Sequence, residues 1–459
     1  MPELSSAQRK GAVVPPLIIA LAVAFCVLMA VMGYYLTFLF AAMFTMLVMG
    51  FPIAVSLAGS CLLYVYLTGR VPDIVVAHRM INGIDSFPLL AIPFFILAGN
   101  LMNHGGITTR IFDFARALMG WMRGGLGHVN VGASIVFSGM SGAAVADAGG
   151  LGTIEIKAMR DAGYDQEFAV GITAASSTIG PIIPPSLPMV IYGVMAGASV
   201  GQLFAAGLIP GLLMGASLMI MIAILARRRG YPRDASFSPR LVWQTFKRAF
   251  LSLLTPVIIV GGIISGAFTP TESAIAAVVY ALILGTVVYR ILTWRRLLKV
   301  SMETIETTAV ILLIVAAASI FAWILTSNQV TRHVMELLGP FSDNPIAILL
   351  LINLVLIVVG CFMETIAAIT ILVPVLLPLA VNAGVDPVHF GVIMVLNLMI
   401  GLLTPPVGMV LYVLSRVSNI SFEKCMRGTL PFLVPLVIAL LLVTFIPAIS
   451  MWLPTLVYR

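Results

Sequence analysis

The sequence predicts an all-α polytopic membrane protein whose two halves form an inverted structural repeat, each half carrying one re-entrant helical hairpin and one broken helix. Three observations lead there. Hydrophobic residues fill 61% of 459 positions and charged residues only 9%, against roughly 25% charged in ordinary soluble domains. The stretch "GPIIPPSLPMVIYG", Gly180 to Gly193, sets prolines and glycines inside a run that otherwise reads as a helix. A second such stretch, "GLLTPPVGMVLY" from Gly401 to Tyr412, follows at an offset of 221 positions.

Residues 11 to 69 contain no Asp, Glu, Lys or Arg. A span needs roughly 20 apolar residues, so this stretch holds two, near 14–34 and 37–67. It is too long for a cleaved signal peptide, whose apolar region is about 7–15 residues. Period-two alternation is absent, which argues against a β-barrel. Cys26, Cys61, Cys361 and Cys425 stand alone in apolar surroundings and read as small core side chains. The histidines His78, His104, His128, His333 and His389 show no paired metal-binding spacing. Lys and Arg sit in short loops, and no nucleic-acid partner is expected.

The offset of 221 persists over a long segment. Gly139 matches Gly360, Gly163 matches Gly384, Gly180 matches Gly401, Pro184 and Pro185 match Pro405 and Pro406, Gly207 matches Gly428, and Pro210 matches Pro431. Composition alone would give roughly one such coincidence over this length. These residues set backbone shape, so the halves, 36–226 and 249–459, share a fold.

Loop charges orient the halves. Lys157 and Arg160 precede the first break, while their counterpart "LLPLAVNAGVDPVH" has neither Lys nor Arg. After the break the bias reverses: "GVMAGASVGQ" is uncharged, and the matching region of the second half holds Arg416, Lys424 and Arg427. Cytoplasmic loops carry the excess of Lys and Arg, so equivalent loops lie on opposite sides and the repeat is inverted. Residues 227–248 form a basic cytoplasmic linker. Arg123 and Lys157 then share a side, and the Gly-rich segment between them suits a re-entrant hairpin, about 124–156, followed by a broken helix about 164–200. The second half repeats this with a hairpin about 344–380 and a broken helix about 387–418. The path leaves Arg9 and Lys10 outside, against the charge rule, so it does not orient the N-terminal helix.

Irregular backbone at membrane depth is tolerated where it is buried in protein or lines a cavity, and paired interruptions in inverted halves point to a substrate and ion site near the midplane. Unwound carbonyls suit a hard cation, and half-helix N-termini suit an anion. The side chains around the breaks are Ser176, Ser177, Thr178 and Ser186, then Asn397 and Thr404, with Gly180, Pro184, Gly401 and Pro405 shaping the backbone. Na⁺ at the broken helices would involve Thr178, Gly180, Gly401 and Thr404. Each hydroxyl also has the structural alternative of bonding its own helix. At the hairpins the candidates are Ser138, Ser141, Asp147, Glu364, Thr365 and Thr370. Charge at bilayer depth marks Asp147 and Glu364 as functional, with helix capping the competing role. Glu272, in "TPTE", reads as N-cap chemistry first.

At these motifs the sequence resembles the large membrane subunit of TRAP transporters, the tripartite ATP-independent periplasmic systems. The matching pieces are "FSGMSGAAVADAGGLG", "PPSLPMVIYG" with "ASVGQLFAAGLIPG", "GAFTPTESAIAAVVYAL", "METIAAITILVPVLLPL" and "LLTPPVGMVLYV". They run through about residues 37 to 455 in order, and residues 1–35 stand as an additional N-terminal helix. The resemblance implies a multi-pass protein of a bacterial inner membrane that takes up an organic acid anion, C4-dicarboxylates among the possibilities, with Na⁺ as coupling ion and no other cofactor. It implies two partners, a small four-helix membrane subunit and a periplasmic substrate-binding protein. It also implies an elevator, hairpins and broken helices forming a transport domain against a scaffold; repeat spacing alone is equally compatible with rocking.

Two other classes share parts of this pattern. A stand-alone sodium/carboxylate symporter would share the broken helices and dispense with the binding protein. "GMSG", Gly139 to Gly142, matches a pattern of intramembrane serine proteases, but the histidine in that segment, His128, lies at its other end, and proteolysis has no use for a second hairpin. No GxxxxGK[ST] loop is present for ATP-driven pumping. The sequence is expected to be a transporter and not an enzyme.

Overall fold

The computed structural model describes residues 16–69, 71–231, 233, 236–337 and 344–458. In chain order the helices are α1 (Pro16–Val31), α2 (Tyr35–Val48), α3 (Ile53–Thr68), α4 (Ile74–Ile84), α5 (Ala91–His104), α6 (Ile107–Met119), α7 (Gly125–Ser141), α8 (Ala144–Gly149), α9 (Leu151–Asp161), α10 (Gln166–Ser177) and α11 (Leu187–Ala196). The series continues with α12 (Val200–Arg229), α13 (Pro239–Ile264), α14 (Pro270–Ile283), α15 (Trp294–Ser327), α16 (Val330–Leu337), α17 (Pro345–Phe362), α18 (Thr365–Asn382), α19 (Pro387–Gly401), α20 (Met409–Ser418), α21 (Phe422–Phe445) and α22 (Ala448–Val457). Among the described residues there is no strand beyond an isolated bridge between Arg123 and Arg233. Eight helices there are long and apolar enough to cross a membrane.

The helix starts follow local chemistry. Asn344 and Asp386 each accept two backbone N–H groups of the first turn they precede, and a proline follows each cap, where its missing donor costs nothing. Thr269 and Glu272 form a reciprocal capping box at α14. Glu272 is therefore committed to starting a helix. Before each broken helix the chain turns through a left-handed glycine, Gly163 and Gly384, both at φ 82. In each turn the next residue donates back five positions, Tyr164 to Met159 O and Val385 to Ala380 O, both at 3.0 Å, which closes the preceding helix.

Two compact units emerge. The first comprises Met1–Asp85 and Val310–Val330. Within it Cys26, Phe38 and Ala42 form a small apolar cluster joining α1 to α2, Phe40 meets Phe321 edge-on with ring centroids 5.6 Å apart, and Tyr64 Oη donates to Asn328 Oδ1 at 3.0 Å. The stretch expected as one span over 37–67 is two helices. Gly50, at φ 87, and Pro52, the N-cap of α3, divide it, because neither a left-handed residue nor a proline continues a helix.

The second unit, Ser86–Ala309 and Thr331–Arg459, contains both hairpins and both breaks. The offset of 221 carries α7 onto α17, the α8–α9 arm onto α18, α10 onto α19, and α12 onto α21, their first residues agreeing within one position. The first hairpin is thus α7 returning through α8 and α9, and the second is α17 returning through α18. Lipid supplies no hydrophobic drive between helices, so close backbone approach matters. A Cβ on Gly171 would stand 2.0 Å from Gly428 O, and one on Gly428 would stand 2.0 Å from Glu167 O. α10 of the first half and α21 of the second therefore cross with only hydrogens between them.

Candidate transport site

The first break spans the nine residues between α10 and α11. Proline at 184, 185 and 188 removes donors that a continuous helix requires, and the Pro184–Pro185 bond is cis. Ser186 restarts the helix: its Oγ accepts from Met189 N at 3.2 Å and donates to Pro181 O. Ser177 Oγ donates to Ala174 O at 2.9 Å and Thr178 Oγ1 to Ala175 O at 2.6 Å. Each hydroxyl keeps its lone pairs for another partner. Residues 177–193 are buried throughout.

The second break has the same backbone plan and a different setting. α19 ends at Gly401, Pro405–Pro406 is cis, and Gly408, at φ 53, leads into α20. Thr404 Oγ1 donates to Gly401 O at 2.9 Å and lies 2.8 Å from Cys361 Sγ. Pro405, Pro406 and Val407 are exposed and Thr404 is half-buried.

Each hairpin tip rests on the break of its own half. At the first, a Cβ on Gly142, which has φ 59, would stand 2.7 Å from Pro185 O. At the second, a Cβ on Gly401 would stand 2.6 Å from the Gly360 backbone, and Val407 N donates to Cys361 O at 3.3 Å. The hairpins therefore stop where the helices break, which is what makes them re-entrant. The halves also interlock, since α11 packs on α18 and α20 packs on α8.

A buried amide ties each broken helix to its hairpin one turn before the break. Ser176 Oγ donates to Asn130 Oδ1 at 2.6 Å, and Asn130 Nδ2 donates to Thr173 Oγ1 at 2.7 Å. In the second half Asn397 Nδ2 donates to Asn353 Oδ1 at 2.8 Å, and Asn353 Nδ2 donates to Thr444 Oγ1 at 3.2 Å. Ser176 and Asn397 occupy equivalent positions at the repeat offset. Asn130 and Asn353 were not among the residues singled out from the sequence, though a lone amide in an apolar hairpin arm is a usable signal. Cys361 is a free, buried core cysteine as the sequence suggests, and its Sγ also touches Thr404 Oγ1.

The two hairpin carboxylates differ. Glu364 Oε2 accepts from Ile366 N at 2.9 Å and Ala367 N at 3.3 Å, the work of an N-cap. Asp147, 2% exposed, accepts no hydrogen bond of ordinary geometry on either oxygen and has the Ser134 hydroxyl beside it. Thr365 Oγ1, Asn397 Oδ1 and Glu155 Oε1 are buried without a partner. Buried oxygens of this kind call for a ligand, water or proton. Thr370 Oγ1 donates to Ala367 O and Ser138 Oγ to Ile135 O, each within its own helix. The side chain of Ser141 lies outside the described residues. These oxygens lie on both hairpins and on α19; among the described residues no group of three His, Cys, Asp or Glu is arranged for a metal ion.

Residues 40–449 match the model of the tripartite ATP-independent periplasmic transporter family, DctM component. The chain belongs to this family. It is therefore a multi-pass membrane transport protein and not an enzyme, which sets the protease reading aside. This family member is 52% identical to the sialic acid TRAP transporter large permease protein SiaM of Vibrio cholerae serotype O1, over 89% of the chain and 95% of the relative. It is 42% identical to the C4-dicarboxylate TRAP transporter large permease protein DctM of Pseudomonas aeruginosa, over 83% of the chain and 90% of the relative. The fold matches that of the Alcanivorax borkumensis YdaH transporter, solved as a crystal structure with an unusual topology, at a TM-score of 0.59 and 14% identity, covering 82% of this chain and 88% of that one.

Proposed function

We propose that the chain is the permease of a Na⁺-coupled uptake system for an organic acid anion, handed over by a periplasmic binding protein and assisted by a small four-helix membrane subunit. The observation that carries the reading is the pair of broken helices, each abutted by a hairpin tip, with buried oxygens without partners on both hairpins and on α19. Na⁺ would be held by Thr178, Thr404 and Asn397 Oδ1 with the backbone at Gly180 and Gly401; an unwound helix supplies carbonyl donors of this type. The N-termini of α11 and α20 would present positive dipole ends to a carboxylate. Hairpins and broken helices would travel together as an elevator, because tips and breaks are bonded within each half. A sialic acid, a sugar acid with one carboxylate, is the substrate class we favour, since the sialic acid relative shares 52% identity against 42% for the C4-dicarboxylate relative.

The test is uptake into proteoliposomes holding the permease and small subunit, with the binding protein and an inward Na⁺ gradient each present or absent. Labelled sialic acid, C4-dicarboxylate, sugar-acid and keto-acid substrates would be compared. Sialic acid uptake that needs both additions is expected. Uptake without the binding protein would establish a stand-alone symporter instead, and a C4-dicarboxylate taken up in preference would overturn the substrate assignment.

A further inference from the structure

A cluster of arginines lies apart from the hairpins and breaks. Two cavities, of about 520 Å³ and 480 Å³, share Arg123, Arg227 and Arg233 in their walls. The fold brings these residues together: the backbone bridge between Arg123 and Arg233 ties the entry of α7 to the chain after α12, and Arg227 lies in the last turn of α12. No carboxylate among the described residues pairs with any of the three. By contrast Arg229, two positions on, is matched to Asp165 at 3.4 Å. Three guanidinium groups on one hollow, unmatched among the described residues, are a planar, bidentate recognition surface for phosphate or carboxylate oxygens.

His128 supplies an independent sign of a ligand. It lines the larger cavity, is 2% exposed, and its Nδ1 is buried without a hydrogen-bond partner. It sits in the first turn of α7, where the helix dipole also favours an anion. The apolar surroundings favour a particular source. Ile220 and Ile224 are 63% and 43% exposed, and with Arg227 they recur at helical spacing along one face of α12. Trp121, beside the larger cavity, stacks edge-on against the exposed Phe237 at 5.9 Å, an arrangement suited to the membrane–water boundary. The concentration of arginine places this end at the cytoplasmic leaflet, which is rich in anionic lipid.

We propose that the cavity bounded by Arg123, Arg227, Arg233 and His128 is a binding site for a phosphate group, carried as the headgroup of an anionic phospholipid whose acyl chain lies along Ile220 and Ile224. The site concerns anchoring of the permease in its leaflet and is separate from the transported anion.

Thermal unfolding of the full-length chain in neutral detergent tests this, with phosphatidylglycerol, phosphatidylcholine of the same acyl chains, and inorganic phosphate at matched ionic strength as probes. Phosphatidylglycerol should raise the melting temperature and phosphatidylcholine should not. In the triple variant R123Q/R227Q/R233Q the phosphatidylglycerol concentration for half effect should rise at least roughly tenfold, with a smaller rise for H128Q. A charge-matched control, R240Q/K247Q/R248Q, lies in the first turns of α13 outside the cavity and should shift it less than about twofold. Should the triple variant fail to fold, R227Q and R233Q singly, both at exposed positions, should each give a rise of roughly threefold. Cavity-dependent protection by inorganic phosphate as strong as by phosphatidylglycerol would keep the phosphate site and overturn the lipid source. Equal loss in the control, or no protection by either phosphate probe, would overturn the site itself.

Discussion

The two breaks share a backbone and differ in what surrounds them. Both end a helix at equivalent glycines or one turn before them, pass through a cis Pro–Pro pair and restart within two residues of the repeat offset. Yet the first is sealed, with every residue from Ser177 to Gly193 buried, while Pro405, Pro406 and Val407 of the second are exposed. Identical turns therefore do not dictate identical access. Access is set by packing: α11 is covered by its neighbours on both sides of the break, whereas the tip of the second hairpin covers Thr404 through Cys361 and leaves the prolines uncovered.

The largest effect should come from separating a hairpin tip from its break. Gly401→Val would push a side chain into the Gly360 backbone, and Gly142→Val would push one into Pro185 O on a left-handed residue. Overpacking of this kind costs about 1–3 kcal/mol, and an L side chain in the left-handed region adds about 1–2 kcal/mol. Unfolding temperatures should fall in the order wild type, Gly401→Val, Gly142→Val. Gly261→Ala, where an added Cβ meets nothing within 4 Å, should stay near wild type. A Gly401 variant less stable than the Gly142 variant would show that the sealed break is the more tolerant one.

The hairpin carboxylates should separate function from stability. Asp147→Asn is expected to fold normally and to lose at least roughly tenfold in uptake, since it removes a carboxylate buried at membrane depth that caps no helix. Glu364→Ala should keep most uptake per folded molecule and lose about 0.5–2 kcal/mol of stability, the value of an N-cap. Uptake rates in proteoliposomes read beside melting curves decide this. The reverse pattern would give the functional role to Glu364 and the structural one to Asp147.

The amide ties come next. Asn130→Ala takes the partner from Thr173 Oγ1 in the sealed half and leaves Ser176 only Thr173 O, and Asn353→Ala takes the partner from Thr444 Oγ1 in the other and leaves Asn397 Nδ2 only Ile393 O. A buried polar group left without its partner costs about 1–3 kcal/mol. Both variants should lose stability within that range as measured by thermal unfolding, and the double variant should lose close to the sum because the two ties share no atom. Strong non-additivity would mean that the hairpins are coupled through the interlocked α11–α18 and α20–α8 contacts.

The fold was legible because it is written in glycine and proline, whose backbone consequences are local. Gly163 and Gly384 take the same φ, and the offset that aligns them aligns whole helices. The split at Gly50 and Pro52 was equally local and was passed over because the apolar run continues through it. The side-chain partners were a different matter. Asn130 and Asn353 are not at equivalent positions, so the repeat could not point to them. Which carboxylate caps and which does not depends on where the return arm begins: directly after Glu364 in α18, but three residues before Asp147 in α8. That choice is made by tertiary packing, and residue type alone does not carry it.

The smallest effect should be in ion dependence. Thr178 and Thr404 both donate to their own helix and keep lone pairs free, but Thr178 is fully buried and Thr404 half-buried. Replacement by Val removes one oxygen while keeping the branched shape. A cation that loses one of several oxygen donors binds more weakly, and at the half-buried site water can take the missing place. Thr178→Val should therefore raise the Na⁺ concentration for half-maximal uptake by roughly tenfold, and Thr404→Val by roughly threefold, taking about 0.65 kcal/mol as what a bridging water fails to restore. Equal shifts would mean that water reaches both breaks and that the sealed half opens during transport. No shift in either variant would remove both hydroxyls from the ion site and leave Asp147, Asn397 and the backbone at Gly180 and Gly401 to hold the cation.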